Sequence, residues 1–277
     1  MGEEEAVVRQ PVVHTDSYAL FLDIDGTLLE LALTPESVSV PPHLTRLLET
    51  LISRTQGALA LVSGRQIAEM DSLFPSLTFC AAGLHGFERR DATGNRHDRP
   101  SPPAEVLAAV RRSLADLAAA HPGLLVEDKQ FALALHYRLA PHLEDRVAAE
   151  MTRIAEEVRP VLELQLGKMV IELRPAGANK GAAVRQFMAE APFAGRYPIY
   201  IGDDLTDESA FEQVNALGGL SIAVGVPGLV EPESPVQVPG TMHPATPVQA
   251  ARATAATAVL TDVTAVRAWL LGLVEAR

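Results

Sequence analysis

The 277-residue sequence has a single cysteine, Cys80, so no disulfide can form within the chain. That thiol lies in the apolar stretch 77–82, which reads as a buried inert group and not as a nucleophile. Positive charge is scarce: 23 Lys and Arg against 35 Asp and Glu leave a net charge of −12, without the basic footprint that nucleic acid or an anionic membrane surface requires. No apolar run reaches the length of a transmembrane helix. The opening Met-Gly-Glu-Glu-Glu also lacks the pattern of a secretory signal. A cytoplasmic location with neither nucleic-acid nor membrane partner is therefore expected, and a monomer is taken as the starting expectation. What is present, 48% hydrophobic and 21% charged residues, describes a globular protein long enough for one large or two modest domains.

The most informative stretch is residues 18–29, an apolar run that ends in Asp23 and Asp25, followed by Gly26 and Thr27. A strand buried on both faces has little reason to carry charge unless a site needs it, and ligands bind at the carboxyl ends of strands in open parallel sheets. An ordinary Asp-Gly turn is the simpler alternative. Two further apolar strands run into polar ends, 58–62 into Ser63-Gly64-Arg65 and 197–201 into Gly202-Asp203. Between them Asn179-Lys180-Gly181 opens a helical stretch reaching residue 190, and Asp203, Asp204, Asp207 and Glu208 form an acidic cluster. Taken singly, Ser63-Gly64 reads as a turn, Lys180 as a solvated lysine and the acids as a helix N-terminus. Taken together and in this order, they are the parts needed to hold a phosphoryl group and a divalent cation.

Strand and helix alternate at the start: a strand to Ile24, helix 43–54, strand 58–62, helix 66–72 and strand 78–82. Such alternation predicts βαβ units and an α/β fold with a parallel sheet. A proline cluster at 99–103 changes the texture and marks a hinge. Helix 104–120, strands 123–127 and 132–138, helix 143–158 and strands 162–166 and 169–173 then read as an α+β insert with two similar halves. The parallel pattern resumes after Pro175. Residues 1–16 are expected to be a flexible N-terminal segment, 225–256 a proline-containing loop, and 262–274 a closing helix capped by Thr261 or Asp262. The expected organisation is a core domain of 17–99 and 176–277 with an inserted cap domain of 100–175.

The order Asp-x-Asp-Gly-Thr-Leu, Ser-Gly-Arg, lysine and Gly-Asp-Asp-x-Thr-Asp-Glu resembles haloacid-dehalogenase-type phosphatases. Gly83-Leu84-His85-Gly86, Glu127-Asp128-Lys129, His136-Tyr137-Arg138, Gly167-Lys168 and Glu172-Leu173-Arg174-Pro175 narrow it to a resemblance to the trehalose-6-phosphate phosphatases. The resemblance runs from about residue 18 to 224 and implies a Rossmann-like core with helices on both faces. It implies Asp23 as a nucleophile that becomes an aspartyl phosphate, with Asp25 protonating the departing sugar oxygen and then accepting a proton from water. Ser63, Gly64 and Lys180 would bind phosphoryl oxygens. Magnesium, a hard cation, would take Asp23, the Asp25 carbonyl and Asp203, with Asp207 acting through water or by orienting Asp203.

The same resemblance implies that Glu127, Lys129 and Glu172 face the sugar; a salt-bridged cap sheet is their plain alternative. His136 and Arg138, two apart, are expected on one strand face, as sugar contacts or as structure. His85 and Arg65 are substrate-binding candidates whose alternative is to orient their loops. Trehalose 6-phosphate is the substrate the resemblance favours. Another phosphorylated sugar, such as sucrose phosphate or mannosyl phosphoglycerate, and a catalytically silent phosphosugar sensor are the competing readings. Intact Asp23, Asp25, Lys180 and Asp203 argue against silence.

Overall fold

The computed structural model describes residues 15–31, 38–167, 169–225, 246–247 and 254–275. Strand β1 (Tyr18–Leu22) is followed by α1 (Pro42–Arg54), β2 (Leu59–Val62), α2 (Ile67–Leu73), β3 (Cys80–Gly83) and β4 (Glu88–Arg90). Next come α3 (Ala104–Ala120), β5 (Leu125–Asp128), β6 (Leu133–His136), α4 (Glu144–Val158), β7 (Leu162–Gly167) and β8 (Val170–Pro175). The chain closes through α5 (Lys180–Met188), β9 (Tyr197–Gly202), α6 (Glu208–Ala216), β10 (Leu220–Val224), β11 (Thr246–Pro247), β12 (Ala258–Leu260) and α7 (Val263–Glu275).

Alternation along β1 builds both faces of the larger sheet at once. Leu20 and Leu22 pack with Leu48, Met70 and Trp269 on one side, while Ala19 and Phe21 pack with Val184, Phe187 and Phe211 on the other. Phe21 stacks on Phe193 with 5.3 Å between ring centroids. Truncating so enclosed an aromatic to alanine costs about 3–5 kcal/mol, because the cavity cannot collapse. The sheet runs β11-β12-β10-β9-β1-β2-β3-β4. Its middle strands pair in parallel as expected, whereas β4 pairs antiparallel with β3 and β11 antiparallel with β12, so the sheet is mixed at both edges. The order β9-β1-β2 sets the carboxyl ends that carry Asp203, Asp23 and Ser63 side by side.

The insert forms its own antiparallel sheet, β5-β6-β8-β7. Leu133, Leu135, Ile171 and Leu173 bury one face against Leu107, Val110 and Leu114 of α3 and Val147, Met151 and Ile154 of α4. Register then sends Glu127, Ala134, Glu172 and Gln165 in a row across the opposite face. β6 stops at His136, so Arg138 lies in the following turn and not on the strand as expected. Tyr137 N–H donates to the Met169 carbonyl and Ala140 N–H to the Tyr137 carbonyl, which bends the chain away.

Asp262 is the cap of α7, its Oδ1 accepting from Ala265 N–H at 2.8 Å. Strands β4 and β12 were not legible as strands, being only three residues long. Most of the 1–16 and 225–256 segments, and Lys168, lie outside the described residues. Among those described, no helix is long and apolar enough to cross a membrane.

Candidate active site

Asp23 leaves β1 with its N–H still donating to the Ile201 carbonyl at 3.0 Å, and Asp25 opens a turn closed by Gly26 N–H on the Leu29 carbonyl at 2.7 Å. Gly26 has φ +79°, and a Cβ there would stand 2.2 Å from an Asp203 carboxylate oxygen. Only glycine satisfies both the left-handed backbone and that approach. The Asp203 carboxylate is thereby brought against the backbone of the Asp25-Gly26 turn.

Lys180 begins α5, which Asn179 caps by accepting from Ala182 N–H at 2.7 Å. The lysine is 2% exposed, and its Nζ donates to Asp23 Oδ1 at 2.9 Å and Asp207 Oδ1 at 2.6 Å. Tyr200 OH donates to the same Asp207 oxygen at 2.6 Å, and Asp204 N–H donates to its other oxygen at 2.9 Å. Donors converge on both oxygens, a demand that an amide, with its single acceptor, cannot meet. Burial pulls the Lys180 pKa down, but Asp207 and Asp23 outweigh it and raise the value, so the ammonium is held charged. Burial raises the Asp23 pKa, with Asp207 and Asp203 adding to it against Lys180.

Carboxylate oxygens of Asp23, Asp203 and Asp207 lie within 4.8 Å of one another. Hard oxygen donors crowded in this way fit a divalent cation such as magnesium. Of the three, the Asp207 carboxylate is already engaged by Lys180, Tyr200 and the Asp204 N–H.

Ser63 ends β2, its N–H donating to the Ala82 carbonyl at 2.9 Å and its carbonyl accepting from His85 N–H at 3.0 Å. His85 and Leu84 adopt left-handed backbones beside it. A Cβ on Gly64 would meet the His85 ring at 2.9 Å, so the histidine lies against the Ser63-Gly64 turn. Burial lowers the His85 pKa, holding the ring neutral. Arg65 does something the sequence did not reveal: its Nε and Nη2 hold both Asp25 oxygens at 2.6 and 2.7 Å. Burial opposes the Arg65 charge, yet the Asp25 contacts raise its pKa.

Above these groups stands the polar row of the smaller sheet. Lys129 donates to Glu172 Oε2 at 2.8 Å, and His136 Nε2 lies 2.8 Å from Glu127 Oε2. Burial would raise the Glu172 pKa, but the Lys129 ammonium brings it well below the usual carboxylate range. Burial likewise opposes the Lys129 charge, and Glu172 and Glu127 overcome it. For Glu127, His136 and Lys129 outweigh burial and lower the pKa. The salt-bridged groups of the smaller sheet thus line the same space as the groups of the larger one.

That space is a cavity of about 180 Å³ reached by Asp23, Asp25, Ser63, Gly64, Arg65, His85, Lys180 and Asp203 from the larger sheet and by Glu127, Lys129, His136, Arg138 and Glu172 from the insert. Asp207 stands behind Lys180, fully buried. Sequence reasoning missed Tyr200, Gln165 and Thr206. The hydroxyl of Tyr200, two residues before the glycine that ends its strand, was a usable signal. Gln165 and Thr206, which line the cavity, carried none.

The trehalose-phosphatase family model matches residues 21–237. A probable trehalose-phosphate phosphatase of Sinorhizobium fredii is 50% identical over 215 residues, which cover 76% of this chain and 79% of that protein. The trehalose-6-phosphate phosphatase of Escherichia coli is 45% identical over 208 residues, 75% of this chain and 77% of its own. Among solved structures, the C-terminal domain of Candida albicans trehalose-6-phosphate phosphatase superposes with a TM-score of 0.78 at 23% identity, covering 94% of this chain and 93% of that one; at such identity the likeness speaks for the fold. That fold, parallel strands with helices on both faces and an inserted α+β layer, is the haloacid-dehalogenase type. A family match that spans both the larger sheet and the insert, at identities this high, places the chain: it belongs to the trehalose-phosphatase family and is a phosphoric monoester hydrolase.

Proposed function

We propose that the chain hydrolyses trehalose 6-phosphate to trehalose and phosphate, with magnesium bound, through a phosphorylated Asp23. Residues 100–175 serve in this reading as a cap domain over a core of 17–99 and 176–277. The observation that carries it is the two-ended cavity, with Asp23, Ser63 and Lys180 at one end and Glu127, Lys129 and Glu172 at the other. A phosphate ester needs the first set and a sugar rich in hydroxyls the second.

An Asp23 carboxylate oxygen attacks phosphorus, and the bond from phosphorus to the sugar oxygen breaks. Asp25 delivers a proton to that oxygen; it then takes one from the water that splits the acyl phosphate, and inorganic phosphate leaves. Lys180, the Ser63 hydroxyl and the Gly64 N–H draw charge from the phosphoryl oxygens as it develops. Asp23, Asp203 and the Asp25 carbonyl would hold magnesium, which would supply charge neutralisation at the phosphate end of the cavity. Arg65 grips both Asp25 oxygens and so aims the carboxylate as a base, and one of the two contacts must open when Asp25 carries the proton it delivers.

Phosphate release from a panel of trehalose 6-phosphate, sucrose 6-phosphate, mannosyl phosphoglycerate and glucose 6-phosphate tests the substrate. Trehalose 6-phosphate should lead by kcat/KM, and a different leader would move the reading to that sugar. Chelation and Asp23→Asn should each abolish turnover. Undiminished turnover after either refutes the metal or the nucleophile assignment respectively, and a melting temperature that rises with magnesium would report the ion independently of activity.

A further inference from the structure

Lys129 stands just beyond β5 in the insert, yet its ammonium also reaches the core. Besides Glu172, Nζ donates to the Gly64 carbonyl at 3.2 Å. That carbonyl belongs to the peptide joining Gly64 to Arg65, whose N–H donates to Ser63 Oγ at 3.3 Å. One rigid peptide plane therefore carries the cap lysine on its oxygen and the phosphate-facing hydroxyl on its nitrogen. His85 and Lys129 crowd the same side of Gly64, where a Cβ would stand 2.9 Å from the His85 ring and 3.7 Å from Lys129 Nζ, and His85 Nε2 lies 3.7 Å from the same Glu172 oxygen that Lys129 holds. Lys129, Glu172, His85 and Ser63 are all buried, so the charged contact is poorly screened by solvent. The peptide cannot move away from the insert without losing the ammonium.

We propose that Lys129 is a positioning residue for the phosphate loop, latching the Gly64–Arg65 peptide and through it the Ser63 hydroxyl when the cap lies over the core. The Glu172–Lys129 pair that faces the sugar is then the same pair that sets the phosphate grip, and binding at either end of the cavity strengthens the other by an equal factor. The inference rests on the proposed role of Ser63 and Gly64 as phosphoryl donors, and it gives Lys129 a task that a sugar contact alone does not have.

The test uses inorganic phosphate, which carries no sugar, titrated calorimetrically into the full chain with magnesium present. Lys129→Ala should weaken phosphate binding roughly tenfold, the scale of one charge-assisted hydrogen bond, and clearly more than Glu127→Ala does. Ethylammonium, which can refill the vacated volume with a like charge, should restore much of the loss. Because Lys129→Ala strands Glu172 as a buried charge, Lys129→Ala combined with Glu172→Gln repeats the measurement without that charge, and thermal melting establishes that each variant is folded. Phosphate binding within twofold of wild type in the folded variants overturns the latch, as does a loss that the amine does not reverse. A wild-type chain that binds phosphate but leaves trehalose 6-phosphate intact would refute the proposed substrate while leaving the latch standing or falling on the phosphate titration alone.

Discussion

Lys180→Met should destabilise the chain by about 3–5 kcal/mol at neutral pH in the presence of chelator, the range found when one partner of a buried ion pair is removed. The Lys180 ammonium stands between the carboxylates of Asp23 and Asp207, at 2.9 and 2.6 Å, and those two residues are 4% and 0% exposed. Without it, like charges whose oxygens lie within 4.8 Å face each other. At an effective dielectric of about 20 their repulsion is roughly 3.5 kcal/mol, an upper limit because Asp23, whose pKa burial and Asp207 already raise, can take up a proton instead. Adding Asp23→Asn removes one of the charges and should return most of that sum, while Tyr200 and Asp204 still satisfy Asp207. Urea unfolding of wild type, single and double variants measures both numbers; the single variant should also melt roughly 6–20 °C lower. Chelator is needed because a cation in the cluster would take over part of the ammonium's work. A single variant within 1 kcal/mol of wild type, or a double variant no more stable than the single, would refute the argument that this lysine neutralises two ionised carboxylates.

Asp25→Asn should still be phosphorylated by p-nitrophenyl phosphate, whose leaving group needs no proton, but should then stall after about one nitrophenolate per site for want of a general base; steady aryl-ester turnover at the wild-type rate would move the acid–base role elsewhere, with His85 the first alternative. Glu127→Ala should cost about 1.5–3 kcal/mol in kcat/KM for trehalose 6-phosphate and much less for the aryl ester, and equal losses would make Glu127 a support of the cap rather than a sugar contact. Burial lowers the His85 pKa in the folded chain, so as pH falls below its ordinary value of 6.5 the unfolded chain takes up this proton before the folded one does. Stability should therefore fall as pH drops below that value, by at most about 1.4 kcal/mol per unit from this residue, and His85→Gln should flatten the decline in pH-dependent melting; an unchanged acid limb would mean that the ring is protonated where it sits.

The sequence alone determined the layered α/β plan, the inserted α+β segment and the strand ends that carry Asp23, Ser63 and Asp203, because each is written locally. The apolar run of β1 ending in carboxylates, the period of α3 and the Asn179 cap of α5 depend on neighbours a few positions away. The shortest edge strands, β4 and β12, were not legible because three residues are too few to show a period. Arg138 was assigned to β6 because its alternation looks like strand until a turn, made with Met169, ends it. Which groups act on which was decided only by tertiary structure. Arg65 grips Asp25 from 40 positions away, Lys129 reaches Gly64 across 65, and Lys180 meets Asp23 across 157. Such pairings arise from the order of strands in the sheet and the seating of one layer on another. Spacing along the chain carries no record of either, since the distance between two side chains is set by the path the backbone takes between them.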